Sequence, residues 1–158
     1  MTPEPGTDQS MYKKKPRKGM TTQPFDFWQD HSRQFLEMAL GHEWRERIAK
    51  PDGYGKRTGD CGDTVEFFLN TEKDRIRSVS YLTDGCLNTN ACANTVAHLV
   101  EGRSIEAAWE ITPEAVIGYL HTLPAESRHC AELAVGAFYK ALADLTEKTR
   151  RPWKKLYR

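Results

Sequence analysis

Residues 63–86 read DTVEFFLNTEKDRIRSVSYLTDGC, and this stretch predicts the centre of the fold. Apolar side chains stand at every second position of its first half, at Val65, Phe67 and Leu69. That period is typical of a β-strand with one buried face. We therefore predict a strand over residues 63–70.

The second half of the stretch predicts a turn and a return strand. Residues 71–74 are polar, and residues 75–83 carry Val79 and Tyr81 on one side. Two such runs joined by a short polar segment are typical of an antiparallel hairpin. Ile76 falls out of phase with this alternation, so we expect a bulge or a sheet edge there.

Helical patterns flank the hairpin. A helix is predicted from Pro24 to Leu40, followed by a glycine-rich loop over residues 50–62. After the hairpin the apolar period becomes helical, and Trp109 at helical spacing is expected in the core. The predicted helices of this second part begin at Asn88, Ser104, Thr112 and Ala125. The fold class is therefore α+β: a small antiparallel sheet of two or three strands with about five helices packed on one face.

Length and composition predict one globular domain. The chain has 158 residues, 39% of them hydrophobic, and a net charge of +1. We predict a flexible basic tail over residues 1–22, a folded domain over 23–148 and a basic C-terminal tail over 149–158. Neither an apolar signal segment nor a stretch long enough to cross a bilayer is present in the sequence, so a cytoplasmic location is expected. The basic tails carry no nucleic-acid-binding motif, and we expect neither nucleic acid nor membrane as a partner.

The chain contains four cysteines and no Cys-x-x-Cys pair. A cytoplasmic protein keeps its thiols reduced, so a disulfide framework is not expected. The absence of a Cys-x-x-Cys pair also argues against zinc ribbons and thioredoxin-like redox sites. The cysteines are therefore interpreted as metal ligands, reactive thiols or core residues.

Three of the cysteines lie where the predicted topology allows them to meet. Cys61 precedes the first strand and Cys86 follows the second, so both lie at the same end of the hairpin. Cys130 lies in the first turn of the last helix, after His129, and a helix N-terminus favours thiolate over thiol. With Asp63, this donor set suits zinc and an iron–sulfur cluster equally well.

Short motifs around these cysteines resemble those of a known family. They are Gly59–Asp63 (GDCGD), Tyr81–Cys86 (YLTDGC), Leu123-Pro124 and Arg128–Cys130 (RHC). In order and spacing the chain resembles iron–sulfur cluster assembly scaffolds of the IscU/NifU N-terminal-domain type. The resemblance covers roughly residues 24–148.

The resemblance implies a SufE/NifU-like fold and a scaffold function without enzymatic turnover. Such a scaffold accepts sulfur from a cysteine desulfurase, assembles a transient 2Fe–2S cluster with iron, and passes it to apo iron–sulfur proteins. The matching cluster ligands are Cys61, Cys86 and Cys130, with His129 beside the third. Asp63 matches the aspartate that keeps the cluster labile or holds metal beforehand. Zinc is an expected occupant of the isolated protein.

Two features depart from the family pattern. Residues 124–128 read PAESR where many members carry a Pro-Pro-Val-Lys stretch that a chaperone reads, so chaperone-assisted release is not expected. Cys92 is an additional thiol on an apolar helical stripe with Val96 and Leu99. It is interpreted first as a small core residue, and second as an auxiliary ligand or sulfur relay.

Two other functions remain open from the sequence. The first is a zinc-dependent sulfurtransferase on the same fold, which accepts persulfide sulfur on one cysteine. The second is a structural zinc protein whose metal only stabilises the fold. The His129-Cys130 pair favours the scaffold over the transferase. The sequence also leaves open whether two chains form a homodimer around one cluster.

Overall fold

The computed structural model describes residues 31–41 and 43–150, and the predicted tail over residues 1–22 lies outside these ranges. The described part contains five α-helices and three β-strands. In chain order they are α1 (Arg33–Leu40), β1 (Gly53–Thr58), β2 (Thr64–Glu72), β3 (Arg75–Thr83), α2 (Leu87–Val100), α3 (Ile105–Ala108), α4 (Pro113–Leu120) and α5 (Arg128–Arg150), with a 3₁₀ turn (Ala125–Ser127) directly before α5.

The three strands form one antiparallel sheet in the order β1-β2-β3. Lys73 and Asp74 join β2 to β3 with positive φ angles of 53° and 65°, which matches the twist of a tight hairpin. The pairing register shifts between Asn70 and Thr71, where Thr71 pairs with Ile76. The irregularity predicted at Ile76 is therefore confirmed, and the shift lets that side chain be fully buried.

The core lies between one face of the sheet and the helices α2 and α5. Val65, Phe67 and Leu69 are fully buried on this face. Phe67 meets Phe138 of α5 edge-on, with ring centroids 5.6 Å apart. The predicted α+β architecture is confirmed, with three strands rather than two. None of the helices in the described ranges is long and apolar enough to cross a membrane.

The glycine-rich segment predicted as a loop contains a strand, so that prediction is wrong over Gly53–Thr58. Helix α5 passes directly over the backbone of β1. A Cβ atom on Gly53 would lie only 2.6 Å from the carbonyl oxygen of Ala141. The glycine is therefore required for close packing of a helix on a strand, not for flexibility.

The predicted first helix is shorter than the sequence indicated. Ser32 has an extended conformation, and its hydroxyl accepts a hydrogen bond from the backbone N–H of Phe35 at 3.0 Å. Ser32 is thus an N-cap, and α1 begins at Arg33 rather than running unbroken from Pro24. Residues 24–30 lie outside the described ranges, and the predicted end at Leu40 is confirmed.

The two predicted capping residues behave as expected, but Trp109 does not. Ser104 and Thr112 accept hydrogen bonds from backbone N–H groups of α3 and α4, each at 3.1 Å. Trp109 is 41% exposed, so its predicted core position is wrong. It follows a four-residue helix and stacks on Tyr139, with ring centroids 5.7 Å apart, at the protein surface.

Candidate functional site

The sequence-predicted site residues are carried by three segments at one end of the hairpin. Cys61 lies in the loop between β1 and β2, where the N–H of Gly62 donates to the carbonyl of Gly59 at 3.0 Å. Cys86 is the N-cap of α2, and Cys130 is the third residue of α5. Cys61 and Cys86 are exposed, whereas Cys130 is buried.

Thr89 is the side chain around which the site is organised. Its hydroxyl oxygen lies 2.7 Å from Oδ2 of Asp63 and 3.4 Å from Sγ of Cys130. The same oxygen lies 3.8 Å from Sγ of Cys86. The hydroxyl oxygen of Thr89 therefore contacts the side chains of Asp63, Cys86 and Cys130, which lie far apart in the sequence.

The backbone around Asp63 leaves its carboxylate free to face this group. Asp84, rather than Asp63, caps the neighbouring strand by accepting from the N–H of Thr64 at 2.8 Å. A Cβ atom on Gly85 would lie 2.7 Å from Oδ2 of Asp63 and 2.7 Å from Cβ of Thr89. A glycine at position 85 is therefore needed for Asp63 to reach Thr89.

His129 extends the site at the start of α5. Its Nδ1 lies 3.1 Å from the carbonyl oxygen of Glu126, which can only accept a hydrogen bond, so Nδ1 carries the proton. The other ring nitrogen, Nε2, lies 3.6 Å from Sγ of Cys130. In the neutral ring, Nε2 therefore has a free lone pair on the side of the cysteine, as a metal ligand requires.

Burial raises the pKa of the Cys130 thiol. The hydrogen bond with Thr89 opposes this shift, whereas the negative charges of Cys86, Cys61 and Asp63 add to it. This direction runs against the expectation that the helix N-terminus would favour the Cys130 thiolate, because loss of hydration favours the neutral thiol. The loop that carries Cys61 lies against the same helix as Cys130, because a Cβ atom on Gly59 would lie 3.4 Å from Cδ2 of Leu133 and 3.8 Å from Sγ of Cys61.

Cys92 lies behind the site, fully buried in α2. Burial raises the pKa of its thiol well above the ordinary value, and the charges of Cys130 and Cys86 raise it further. A protonated thiol packed in the interior is what the core interpretation predicts. An auxiliary role for Cys92 would require access to a side chain that has no exposed surface.

Within residues 31–41 and 43–150, no three His, Cys, Asp or Glu side chains converge closely enough to hold a metal ion as they stand. The side chains of Asp63, Cys86 and Cys130 all contact the Thr89 hydroxyl, and His129 adjoins Cys130, but they do not face one common point. Metal binding would therefore require small side-chain movements. The exposed Cys61 and Cys86 are on a loop and a helix end, where such movements cost little.

Sequence reasoning missed Thr89. A signal was present, because Thr89 follows Cys86 by three positions in a predicted helix, and residues three apart share one face. What could not be foreseen was its hydrogen bond to Asp63, which depends on how the first turn of α2 lies against the loop that precedes β2.

Fold and site together define a small α+β domain that gathers cysteine, histidine and aspartate side chains at one end of a hairpin. Comparison with known families identifies the family to which this domain belongs. The chain belongs to the family of NifU-like N terminal domains, whose family model matches residues 50–152.

Two similar proteins agree with this assignment. The chain is 31% identical over 103 residues to iron-sulfur cluster assembly scaffold protein IscU 1 of Archaeoglobus fulgidus, covering 65% of this chain and 67% of the relative. It is 30% identical over 93 residues to the scaffold protein IscU of Aquifex aeolicus, covering 58% of this chain and 59% of the relative.

Solved structures confirm the fold. A NifU-like N-terminal protein from Brucella abortus superposes with a TM-score of 0.61 at 18% identity, covering 74% of this chain and 94% of the other. FiSufU from Fervidobacterium islandicum superposes with a TM-score of 0.60 at 16% identity, covering 72% and 96%. The three-stranded sheet with its helices is therefore the architecture of NifU-like domains.

Proposed function

We propose that this protein is a scaffold on which an iron–sulfur cluster is assembled from iron and desulfurase-derived sulfur and then passed to apo-proteins. The observation that carries the proposal is the meeting of Asp63, Cys86 and Cys130 at the hydroxyl of Thr89. It occurs in a NifU-like chain whose relatives in Archaeoglobus and Aquifex are named as assembly scaffolds.

The proposed cluster ligands are the thiolates of Cys61, Cys86 and Cys130, with His129 and Asp63 as exchangeable donors. Soft thiolates suit iron–sulfur chemistry, and harder imidazole and carboxylate ligands exchange more easily. A cluster held in this way is cargo rather than a permanent cofactor. We propose a 2Fe–2S cluster as that cargo, with zinc as a competitor for the same donors in the isolated protein.

The proposed sulfur donor is a cysteine desulfurase. Exposed Cys61 and Cys86 are the thiols that a partner's persulfide can reach. The attacking thiolate takes the outer sulfur, the persulfide S–S bond breaks, and the desulfurase cysteine leaves as a thiolate. The protein thereby acts as sulfur acceptor and cluster carrier, without turnover of its own.

The proposed domain spans residues 23–148, and the proposed location is the cytoplasm. Delivery to recipient apo iron–sulfur proteins is proposed to proceed without a dedicated chaperone. In this chain the segment before His129 is PAESR, and its residues Ala125–Ser127 form a 3₁₀ turn.

The test is anaerobic reconstitution of the full chain with ferrous iron, cysteine, a cysteine desulfurase and a dithiol reductant, which supplies the two electrons that convert each persulfide sulfur to sulfide. We expect visible absorption from a cluster bound to the protein. When an apo-ferredoxin is added, the cluster should pass to it, so that the absorption of the scaffold falls and that of the ferredoxin rises. Cys86→Ala should abolish the absorption. Absence of a chromophore in the wild-type protein, while the desulfurase releases sulfide, would exclude the scaffold function.

A zinc-dependent sulfurtransferase is the alternative that the exposed thiols Cys61 and Cys86 favour. It predicts that the zinc-loaded protein accelerates desulfurase turnover and carries persulfide without forming a cluster. The structural zinc hypothesis instead predicts that the metal-free protein unfolds. A cooperative thermal transition of the chelator-treated protein would argue against it.

A further inference from the structure

Thr89 is a fully buried polar residue at the centre of the site, and no ligand role is proposed for it. Its hydroxyl lies within hydrogen-bonding distance of Asp63, Cys130 and Cys86. A buried hydroxyl without a partner costs free energy, so these contacts are part of what keeps Thr89 in place.

Thr95 shows what a buried threonine in the same helix does otherwise. Its hydroxyl donates to the carbonyl of Ala91, four residues earlier, at 2.7 Å. Thr89 instead uses its hydroxyl to reach a different segment, the end of the loop that precedes β2. Thr89 and Thr95 are both fully buried threonines of α2, and they differ in the group to which the hydroxyl donates its hydrogen bond.

The hydroxyl has one proton and two lone pairs. The short distance to Oδ2 of Asp63 and the negative charge of a carboxylate place the proton on that contact. The sulfurs of Cys130 and Cys86 lie farther from the same oxygen, at 3.4 and 3.8 Å, and Cys130 competes with Asp63 as a second acceptor for the hydroxyl proton. Gly85 lies close to both partners, because a Cβ atom there would lie 2.7 Å from Oδ2 of Asp63 and 2.7 Å from Cβ of Thr89. The Asp63 carboxylate therefore binds the Thr89 hydroxyl and packs close to the backbone of Gly85.

We propose that Thr89 is a positioning residue that holds the Asp63 carboxylate oriented toward metal bound by Cys86 and Cys130. This inference rests on the ligand role proposed for Asp63. Partners that orient a metal-binding side chain typically contribute about 10- to 100-fold to metal affinity. Thr89 is such a partner, and it acts through Asp63 rather than on the metal.

The test is a titration of the reduced full-length protein with Co²⁺ under anaerobic conditions. Thiolate-to-cobalt absorption reports the bound metal. We expect Thr89→Val to weaken Co²⁺ binding about 10- to 100-fold. Thr89→Ser, which keeps the hydroxyl, should bind nearly as the wild type does. Thr95→Val, the matched control in the same helix, should leave the affinity unchanged.

A double-mutant cycle distinguishes positioning from a general structural effect. In an Asp63→Ala background, Thr89→Val should cause no further loss of affinity. An equal loss in both backgrounds, or equal affinity of Thr89→Val and wild type, would overturn the proposal. If Thr89→Val does not fold in the metal-free thermal melt, Thr89→Ala takes its place in the same cycle.

Cobalt binding requires neither desulfurase nor cluster, so this test is separate from the test of the scaffold function. Coupling between Thr89 and Asp63 in a protein that assembles no cluster would support the positioning role and exclude the scaffold. Cluster assembly without coupling would overturn the positioning role alone.

Discussion

A Cβ atom on Gly55 would lie 2.3 Å from the backbone nitrogen of Ala141, because α5 crosses β1 in direct contact with the strand backbone. The same Cβ would lie 2.5 Å from the carbonyl oxygen of Ala137. We predict that Gly55→Ala forces the helix away from the sheet. Overpacking of this kind costs about 1–3 kcal/mol and occasionally more. The midpoint of urea unfolding should fall accordingly.

Gly118→Ala is the matched control for Gly55→Ala. Gly118 lies in α4, is exposed, and has no atom within 4 Å of an added Cβ. Alanine stabilises a helix interior by about 0.5–1 kcal/mol relative to glycine. The control should therefore raise the midpoint slightly. Equal midpoints for Gly55→Ala and wild type would contradict the close packing of α5 on β1.

His129 is predicted to hold its proton on Nδ1 whenever the ring is neutral, because that nitrogen donates to the carbonyl of Glu126. Two-dimensional ¹H–¹⁵N NMR of the metal-free protein at alkaline pH distinguishes the two tautomers by the ¹⁵N shifts of the ring. We expect Nε2 to have the shift of an unprotonated nitrogen. A ring protonated on Nε2 would remove the free lone pair beside Cys130, and with it the basis for a ligand role.

The raised pKa of Cys130 predicts how stability depends on pH. Above the ordinary value of 9.0 the unfolded chain loses this proton, whereas the folded protein retains it because burial raises the pKa of the thiol. The folded state then binds more protons, so the free energy of unfolding falls as pH rises through this range. Urea unfolding of the reduced, metal-free protein between roughly pH 8 and 10 should show the decline.

Cys92 also titrates late, because its pKa is raised well above the ordinary value, and it contributes a decline of the same sign. The contribution of Cys130 to the pH dependence of stability is therefore measured as the difference between the wild type and Cys130→Ala. Cys130→Ala should lose less stability over the same pH range than the wild type does. An identical decline in both proteins would show that the Cys130 thiol is not desolvated in the free protein.

The sequence predicted the hairpin well because its signal is local. Alternation at Val65, Phe67 and Leu69 requires only that one face be buried, and the out-of-phase Ile76 marked the bulge correctly. Strand β1 was not predicted, because glycine is compatible both with a mobile loop and with close packing of a helix on a strand. Only the position of α5 decides that Gly55 serves packing.

The site could be predicted as a set of residues but not as an arrangement. Cys61 and Cys86 were expected at one end of the hairpin, because the ends of antiparallel strands meet there. The pKa of Cys130 depends on burial, and burial depends on how α5 lies over α2 and the sheet. Thr89 was missed for the same reason, since its partner Asp63 is 26 positions away in the chain.

Asn90 is predicted to be the most costly amide to remove. Its side-chain oxygen accepts from the hydroxyl of Tyr81 at 2.8 Å and from Arg45 at 2.9 Å. Its Nδ2 donates to the carbonyls of Met38 and Ala39 at 3.2 and 3.0 Å. Asn90→Ala removes this partner from the Tyr81 hydroxyl and the Ala39 carbonyl, at about 1–3 kcal/mol for each group left unsatisfied. The Met38 carbonyl keeps its contact with Asn94 at 3.0 Å, and Arg45 keeps its contact with the Thr83 carbonyl at 2.6 Å. Chemical denaturation should show the loss.

The Tyr81 hydroxyl gives this prediction a second, independent measurement. Burial raises the pKa of Tyr81 to about 12, and the charge of Arg45 lowers it. The phenol donates its hydrogen bond to the amide oxygen, and only the neutral form can do so, so loss of the amide should lower this pKa, as ultraviolet titration of tyrosinate can show while the protein remains folded. Asn70→Ala is the control, because Asn70 is half-buried and its contacts are longer, 3.4 Å to Ser78 and 3.3 Å to the N–H of Asp52. Equal losses of stability for the two alanine variants would contradict a special role for Asn90. Such a result would mean that the four contacts of its buried amide contribute no more than two long contacts near the surface.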